Sequence, residues 1–286
     1  MASAARKEAL LRRSVEDMIA FYASPEGAVA KRLIGAKLCE AWSDVKGLDV
    51  LAIGYGTPYL DAFNEARRTL SAMPAAQGAE IWPSELKVRS VLVEEEALPF
   101  PSALFDRILL VHALEESRTP HGLLLEASRL LAPNGRVIIA VAARGGFWAH
   151  AEKTPFGYGQ PYSRGQLENA LREAELEPLA WSYALYTPPA RSLLRWAPSL
   201  EGILPVLWPL KGGLILMEAG RRPFVAMTAR TQTSTILQDL RGVLAPQQPI
   251  PTSRSSDAAW LLAKLGRPLG LAGQASPARK RDVEPA

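Results

Sequence analysis

Apolar positions along this chain follow two rhythms in alternation. Val15, Met18, Ile19 and Tyr22 recur at helical spacing behind Ser14, which predicts a capped helix. Ser24-Pro25-Glu26-Gly27 breaks it, and Val29, Leu33, Ala36 and Ala41 predict the buried side of a second helix, ended by Gly47. Leu48 to Ile53 differs: it is a short branched-apolar run of the kind buried on both faces of a parallel sheet. Thr57-Pro58 pairs a capping hydroxyl with a proline at the first helical position, predicting a helix to about Arg67. Thr69 to Met73, Ser90 to Val93 and Phe105 to Val111 read as strands two to four. Thr119-Pro120 opens a helix through Leu131 that Pro133-Asn134-Gly135 stops, and Arg136 to Val141 reads as strand five.

Further on, Ser163-Arg164-Gly165-Gln166 is a capping box opening a helix with Leu167, Ala170, Leu171 and Ala174 inward. Trp181 to Tyr186 reads as strand six. Gly213 to Ala219 and Pro223 to Met227 read as a terminal strand or hairpin with Gly220-Arg221-Arg222 as its turn. Parallel neighbours require crossovers, so the succession predicts an α/β fold: a mostly parallel sheet with helices on both faces. The expected organisation is N-terminal helices over 1–46, an α/β domain over 47–230, and a tail over 231–286 whose Gln, Ser, Pro and Gly content predicts disorder.

Composition narrows the class. One cysteine, Cys39, excludes an internal disulfide and a cysteine-cluster zinc site, which points to a reducing, cytoplasmic setting. Leu200 to Met217 is the most apolar long stretch, but Pro205, Pro209, Lys211 and Gly212-Gly213 interrupt it, so no membrane span is expected. Met1 to Arg13 lacks the apolar run of a secretion signal. A net charge of +4 is too small to imply nucleic acid or a membrane. The basic cluster Pro277-Ala278-Arg279-Lys280-Arg281 leaves nucleic acid open as a partner of the tail.

Two segments carry the chemistry. Val50 to Tyr59 places Gly54-Tyr55-Gly56 between strand one and a helix, where an α/β sheet lets a ligand touch backbone. Downstream, Leu98-Pro99-Phe100 leads into Phe105-Asp106 at the start of strand four. In this order they resemble the class I S-adenosylmethionine-dependent methyltransferases, especially the type 11 subgroup. The resemblance implies a Rossmann-like sheet of seven strands, the seventh antiparallel beside the fifth at Leu214 to Glu218, and S-adenosyl-L-methionine as cofactor. It implies cofactor contacts from Gly54, Tyr55 and Gly56. It also implies an adenine contact from Glu94, four positions before Leu98, with Glu95 supplying the next amide. His112, after strand four, would face the sulfonium end and is the candidate to orient substrate or accept a proton. Where the family carries an acidic residue and a further glycine around the turn, this chain has Ala52 and Pro58, and Met73-Pro74 replaces the carboxylate that ends strand two.

After strand five, Arg144, Trp148, His150, Tyr158 and Tyr162 lie in a glycine-rich segment that reads as a lid or substrate surface, or as a packed loop covering the sheet. No phosphate loop or metal-spaced histidine pair is present. The activity the resemblance implies is in-line methyl transfer to a small-molecule, quinone or lipid-type acceptor. The alternative is a methyltransferase-like binding or regulatory subunit without catalysis, in which case a protein partner is implied. A nucleotide-dependent dehydrogenase fits less well, because the glycine spacing is not Gly-x-Gly-x-x-Gly and strand two lacks its acid.

Overall fold

The computed structural model describes residues 12–85, 87–197, 200–201 and 212–222. These lie in the first of two compact units, 1–243; the second, 244–286, and the expected strand at Pro223 to Met227 lie outside the described residues.

Two helices open the described chain. Ser14 caps α1 (Val15–Ala23) by accepting from the Asp17 amide, and Ser24 caps α2 (Pro25–Ala41) by accepting from the Gly27 amide, with Pro25 in the first turn. The buried faces are rotated from the expected ones: Phe21 rather than Ile19 is buried in α1, and Ala30, Ile34 and Leu38 carry the core contact of α2. The low amphipathic contrast of α2, with Ala and Gly at several positions, left its face ambiguous in sequence.

The sheet contains β1 (Asp49–Gly54), β2 (Arg68–Pro74), β3 (Ser90–Val93), β4 (Phe105–Val111), β5 (Leu131–Ala142), β6 (Leu176–Ala184) and β7 (Leu214–Arg221). Their spatial order is β3-β2-β1-β4-β5-β7-β6. The first five run parallel, while β7 is antiparallel to both β5 and β6. This is the Rossmann-like arrangement expected, with β7 inserted beside β5. Gly220 and Arg221 belong to β7 rather than to a turn. β6 begins five residues before Trp181 and ends at Ala184, and β5 begins at Leu131, taking in the Pro133-Asn134-Gly135 stop.

All six residues of β1 are buried, and alternate positions feed two cores. Leu51, Ile53, Ile108, Leu110, Val137 and Ile139 pack under α4 (Pro120–Leu130) and α5 (Arg164–Glu173). Val50, Ala52, Leu109, Val111, Ile138 and Ala140 pack under α2 and the short α3 (Thr57–Leu60). Helices therefore cover both faces. Ser163 and Gln166 form the expected capping box of α5. α3 is far shorter than the predicted run to Arg67: it passes into a 3-10 turn at Asp61–Phe63, because β2 already begins at Arg68. The described residues contain no helix long and apolar enough to cross a membrane.

Candidate functional site at the carboxyl rim

The carboxyl ends of β1, β2, β3 and β4 meet along one rim, the place where open α/β sheets hold ligands. Gly54 ends β1 at φ +88°, in the region that favours glycine. A Cβ there would run into the Val111 carbonyl and come within 2.8 Å of the Ala113 Cβ, so this glycine serves the close approach of β1 to β4. Gly56 is likewise pressed against Ala52, 2.5 Å from a notional Cβ. Tyr55 points inward, stacks on Tyr22 with ring centroids 5.6 Å apart, and donates to Glu80 at 3.1 Å. Thr57 also donates to Glu80.

The run after β4 carries most of the site's polarity. His112, Ala113, Leu114, Glu115 and Glu116 are all buried, and His112 adopts φ +51°, a left-handed conformation uncommon for a side-chain-bearing residue. Such local strain clusters at functional sites. The His112 Nε2 is 2.8 Å from the Tyr22 hydroxyl, which is itself 2.9 Å from the Tyr59 hydroxyl, and Phe156 packs on the imidazole with ring centroids 4.6 Å apart. Burial first, then the charges of Arg12 and Arg13, pull the His112 pKa down to about 3. The imidazole is therefore neutral at physiological pH and is a poor base there, contrary to the expectation of proton acceptance near neutrality. Glu115 has the opposite shift: burial pushes its carboxyl up to about 8, with backbone amides and Arg12 pulling back in part. Glu116 rises to about 7, also from burial, against the Arg13 amide and the charges of Arg12 and Arg13.

These groups are incompletely satisfied. Both carboxyl oxygens of Glu115, one of Glu116, the His112 Nδ1 and both side-chain polar atoms of Gln77, beyond β2, are buried without a hydrogen bond of normal geometry. Buried polar groups are nearly always paired, and exceptions such as these are of the kind that a polar ligand, an ion or ordered water completes.

The remaining sequence candidates fall in different places. Glu94 is exposed at the end of β3. Glu95 turns inward, pairs with Arg12 at 2.6 Å and accepts from Ser117 at 3.1 Å. Tyr162 is half-buried, and Glu115 lies close enough to raise the pKa of its phenol, which burial raises first. Its backbone bonds Ala142 and Arg144, and Gly159 packs against the Glu115 carbonyl, so the segment after β5 folds back onto the rim. Arg13 stacks over the Tyr158 ring at 5.0 Å. Arg144 and His150 are exposed. Trp148 is buried and donates to the Thr187 carbonyl at 2.8 Å, a core position rather than a lid surface. Sequence reasoning missed Arg12, Tyr22, Gln77, Glu115 and Glu116. For the two glutamates a signal existed: they lie three and four residues after His112, on the same rim.

Comparison with known proteins agrees with this geometry. A family profile described as a methyltransferase domain matches residues 52–139, from β1 into β5. Uncharacterized proteins of Mycobacterium tuberculosis and Mycobacterium bovis are 32% identical over 111 residues, which is 35% of this chain and 39% of theirs, so the match spans well under half of those relatives. A demethylmenaquinone methyltransferase of Tropheryma whipplei is 26% identical over 156 residues, 51% of this chain and 60% of that protein. Among solved structures, a SAM-dependent methyltransferase of Thermotoga maritima superposes with a TM-score of 0.54 at 18% identity, covering 73% of this chain and 95% of that one. A Haloferax volcanii methyltransferase solved with the Trm112 activator gives 0.53 at 17% identity, covering 73% and 98%. At these identities the likeness concerns the fold.

Proposed function

We propose that this chain, whose residues 52–139 match the methyltransferase-domain family, is a class I S-adenosylmethionine-dependent methyltransferase that transfers a methyl group to a small-molecule acceptor of quinone or lipid type. The observation that carries the reading is the set of buried, unpartnered polar atoms at the carboxyl rim, on Gln77, His112, Glu115 and Glu116. Such a set fits a polar, partly cationic cofactor. Gly54 and Gly56 form the turn, and Glu94, Glu95 and Gln77 lie at the ends of β2 and β3, where they would hold the nucleoside portion. S-adenosylmethionine supplies, when bound, a methyl group already activated by its sulfonium.

The chain's own residues would then have three tasks. Tyr22, Tyr55, Tyr59 and Phe156 wall the site with aromatic surface and exclude water. His112, kept neutral and held by Tyr22, orients its neighbours by hydrogen bonding. Glu115 is the better-matched proton acceptor, since a carboxyl brought up to about 8 operates near neutral pH. The quinone-type acceptor rests on similarity to the demethylmenaquinone enzyme over about half of this chain.

A second reading, a non-catalytic methyltransferase-like subunit acting with a protein partner, draws on Ala52, Pro58 and Met73-Pro74, which stand where the family carries its conserved contacts. Titration calorimetry with S-adenosylmethionine and S-adenosylhomocysteine separates the two. The proposal expects micromolar binding that Glu94→Ala weakens by about tenfold, the loss of one hydrogen bond to a polar ligand. Absence of heat and of thermal shift at millimolar ligand would sink it and favour the subunit.

A further inference from the structure

Two arginines no motif pointed to lie across the rim. Arg12, its side chain only 4% exposed, places Nη2 2.6 Å from the Glu95 carboxylate and 2.9 Å from the Ala113 carbonyl, bridging the ends of β3 and β4. Arg13 donates its amide to Glu116 at 2.9 Å and its guanidinium to the Glu152 carbonyl at 2.5 Å. Immediately after them, Ser14 caps α1 and the Val15 amide bonds the Gln77 carbonyl. The lead-in to α1 therefore lies on the polar cluster described above, with cationic side chains among Glu95, Glu115 and Glu116.

That seat is incomplete. The Arg12 Nη1 and Arg13 Nε are buried without partners, and so are both oxygens of Glu115 beside them. A half-satisfied buried network is weaker than one a ligand completes, so the contact is displaceable. We propose that the Arg12–Arg13 lead-in is an internal competitor for the cofactor. It withdraws from Glu95, Ala113 and Glu116 when the cofactor enters, pivoting at Ser14, and returns when it leaves. The inference rests on the cofactor reading above. Arg12 occupies the Glu95 carboxylate, which the cofactor reading assigns to the nucleoside portion, so guanidinium and nucleoside compete for one group. S-adenosylmethionine and S-adenosylhomocysteine share that nucleoside, and the lead-in opposes both.

Two measurements on the full chain test this. Limited trypsin digestion, with cleavage after Arg12 and Arg13 resolved by mass spectrometry, needs no variant. Saturating S-adenosylhomocysteine is expected to accelerate both cleavages severalfold. Slower or unchanged cleavage overturns the proposal, because the lead-in would then be part of the cofactor's cover. Calorimetry on Arg12→Gln is expected to give about tenfold tighter binding of both S-adenosylhomocysteine and S-adenosylmethionine, the release of one charge-assisted contact. Equal or weaker binding by the variant overturns the competitor alone. Absence of binding by both proteins overturns the cofactor reading and the competitor with it.

Discussion

Replacing Glu115 with glutamine should flatten the alkaline side of the stability curve. Glu115 is 4% exposed and Glu116 5%, and burial holds their folded pKa values near 8 and 7, above the ordinary 4.5. A carboxyl whose folded pKa is raised contributes stability that is fully present below 4.5 and is lost as pH rises through the folded value. His112 acts in the other direction. Its folded pKa, lowered to about 3 from 6.5, contributes fully above 6.5 and loses its contribution as pH falls toward 3. The window from pH 6.5 to 8 therefore excludes His112. Each proton released on unfolding changes stability by about 1.4 kcal/mol per pH unit, and both groups are part-ionised within the window, so Glu115 and Glu116 together should cost the native chain about 2.5 kcal/mol across it. Glu115→Gln, which keeps shape but cannot ionise, should lose less than about 1 kcal/mol, the part owed to Glu116. Glu201 and Glu218, also raised by burial, are common to both proteins and cancel in the comparison. Urea unfolding at pH 6.5 and 8 reads the difference directly, and thermal melts should separate by roughly 5–10 °C for the native chain. If the glutamine variant loses as much as the native chain, the buried carboxyl is not where the protons go and its role as acceptor falls too.

Two further substitutions probe the fold that presents the rim. Gly54→Ala should destabilise by roughly 2–4 kcal/mol in urea titration, since alanine at φ +88° is strained and its methyl meets the Val111 carbonyl; a loss under about 0.5 kcal/mol would mean that β1 and β4 part easily. Trp148→Ala should cost about 3–5 kcal/mol, whereas Arg144→Ala in the same segment should stay within about 0.5 kcal/mol; equal effects on chemical denaturation would contradict the assignment of Trp148 to the core.

The sheet was legible in sequence because its strands are short apolar runs punctuated by glycine and proline, and runs buried on both faces leave little choice of pairing partner. Ser14 and Ser163 announced two helix starts through cap chemistry that acts within four residues, whereas the Ser24-Pro25 pair read as a break and not as the cap it forms. Helix faces in α1 and α2 were less legible, since alanine and glycine blur the apolar stripe. The site divided the same way. Gly54, Glu95 and His112 could be found by counting from strand ends, and they do converge. Arg12 reaches Ala113 across 101 positions of sequence, and no local pattern records such a contact. Trp148 looked like a lid residue because aromatic and glycine content alone cannot distinguish a covering loop from a core insertion. The pKa of His112 could not be read either, because it follows from burial that only the assembled fold supplies.

The placement of β7 also dictates when the sheet can be completed. Among the described residues β6 has β7 as its only sheet neighbour, yet β7 comes about thirty residues later in the chain. On a ribosome, β5 emerges with one side unpaired and β6 follows with nothing to pair with, until 214–221 slides between them. Throughout that interval two open edges are exposed side by side, each able to recruit the wrong strand. Interrupted synthesis just short of Leu214 would thus leave a nearly whole carboxyl rim on a sheet that cannot close.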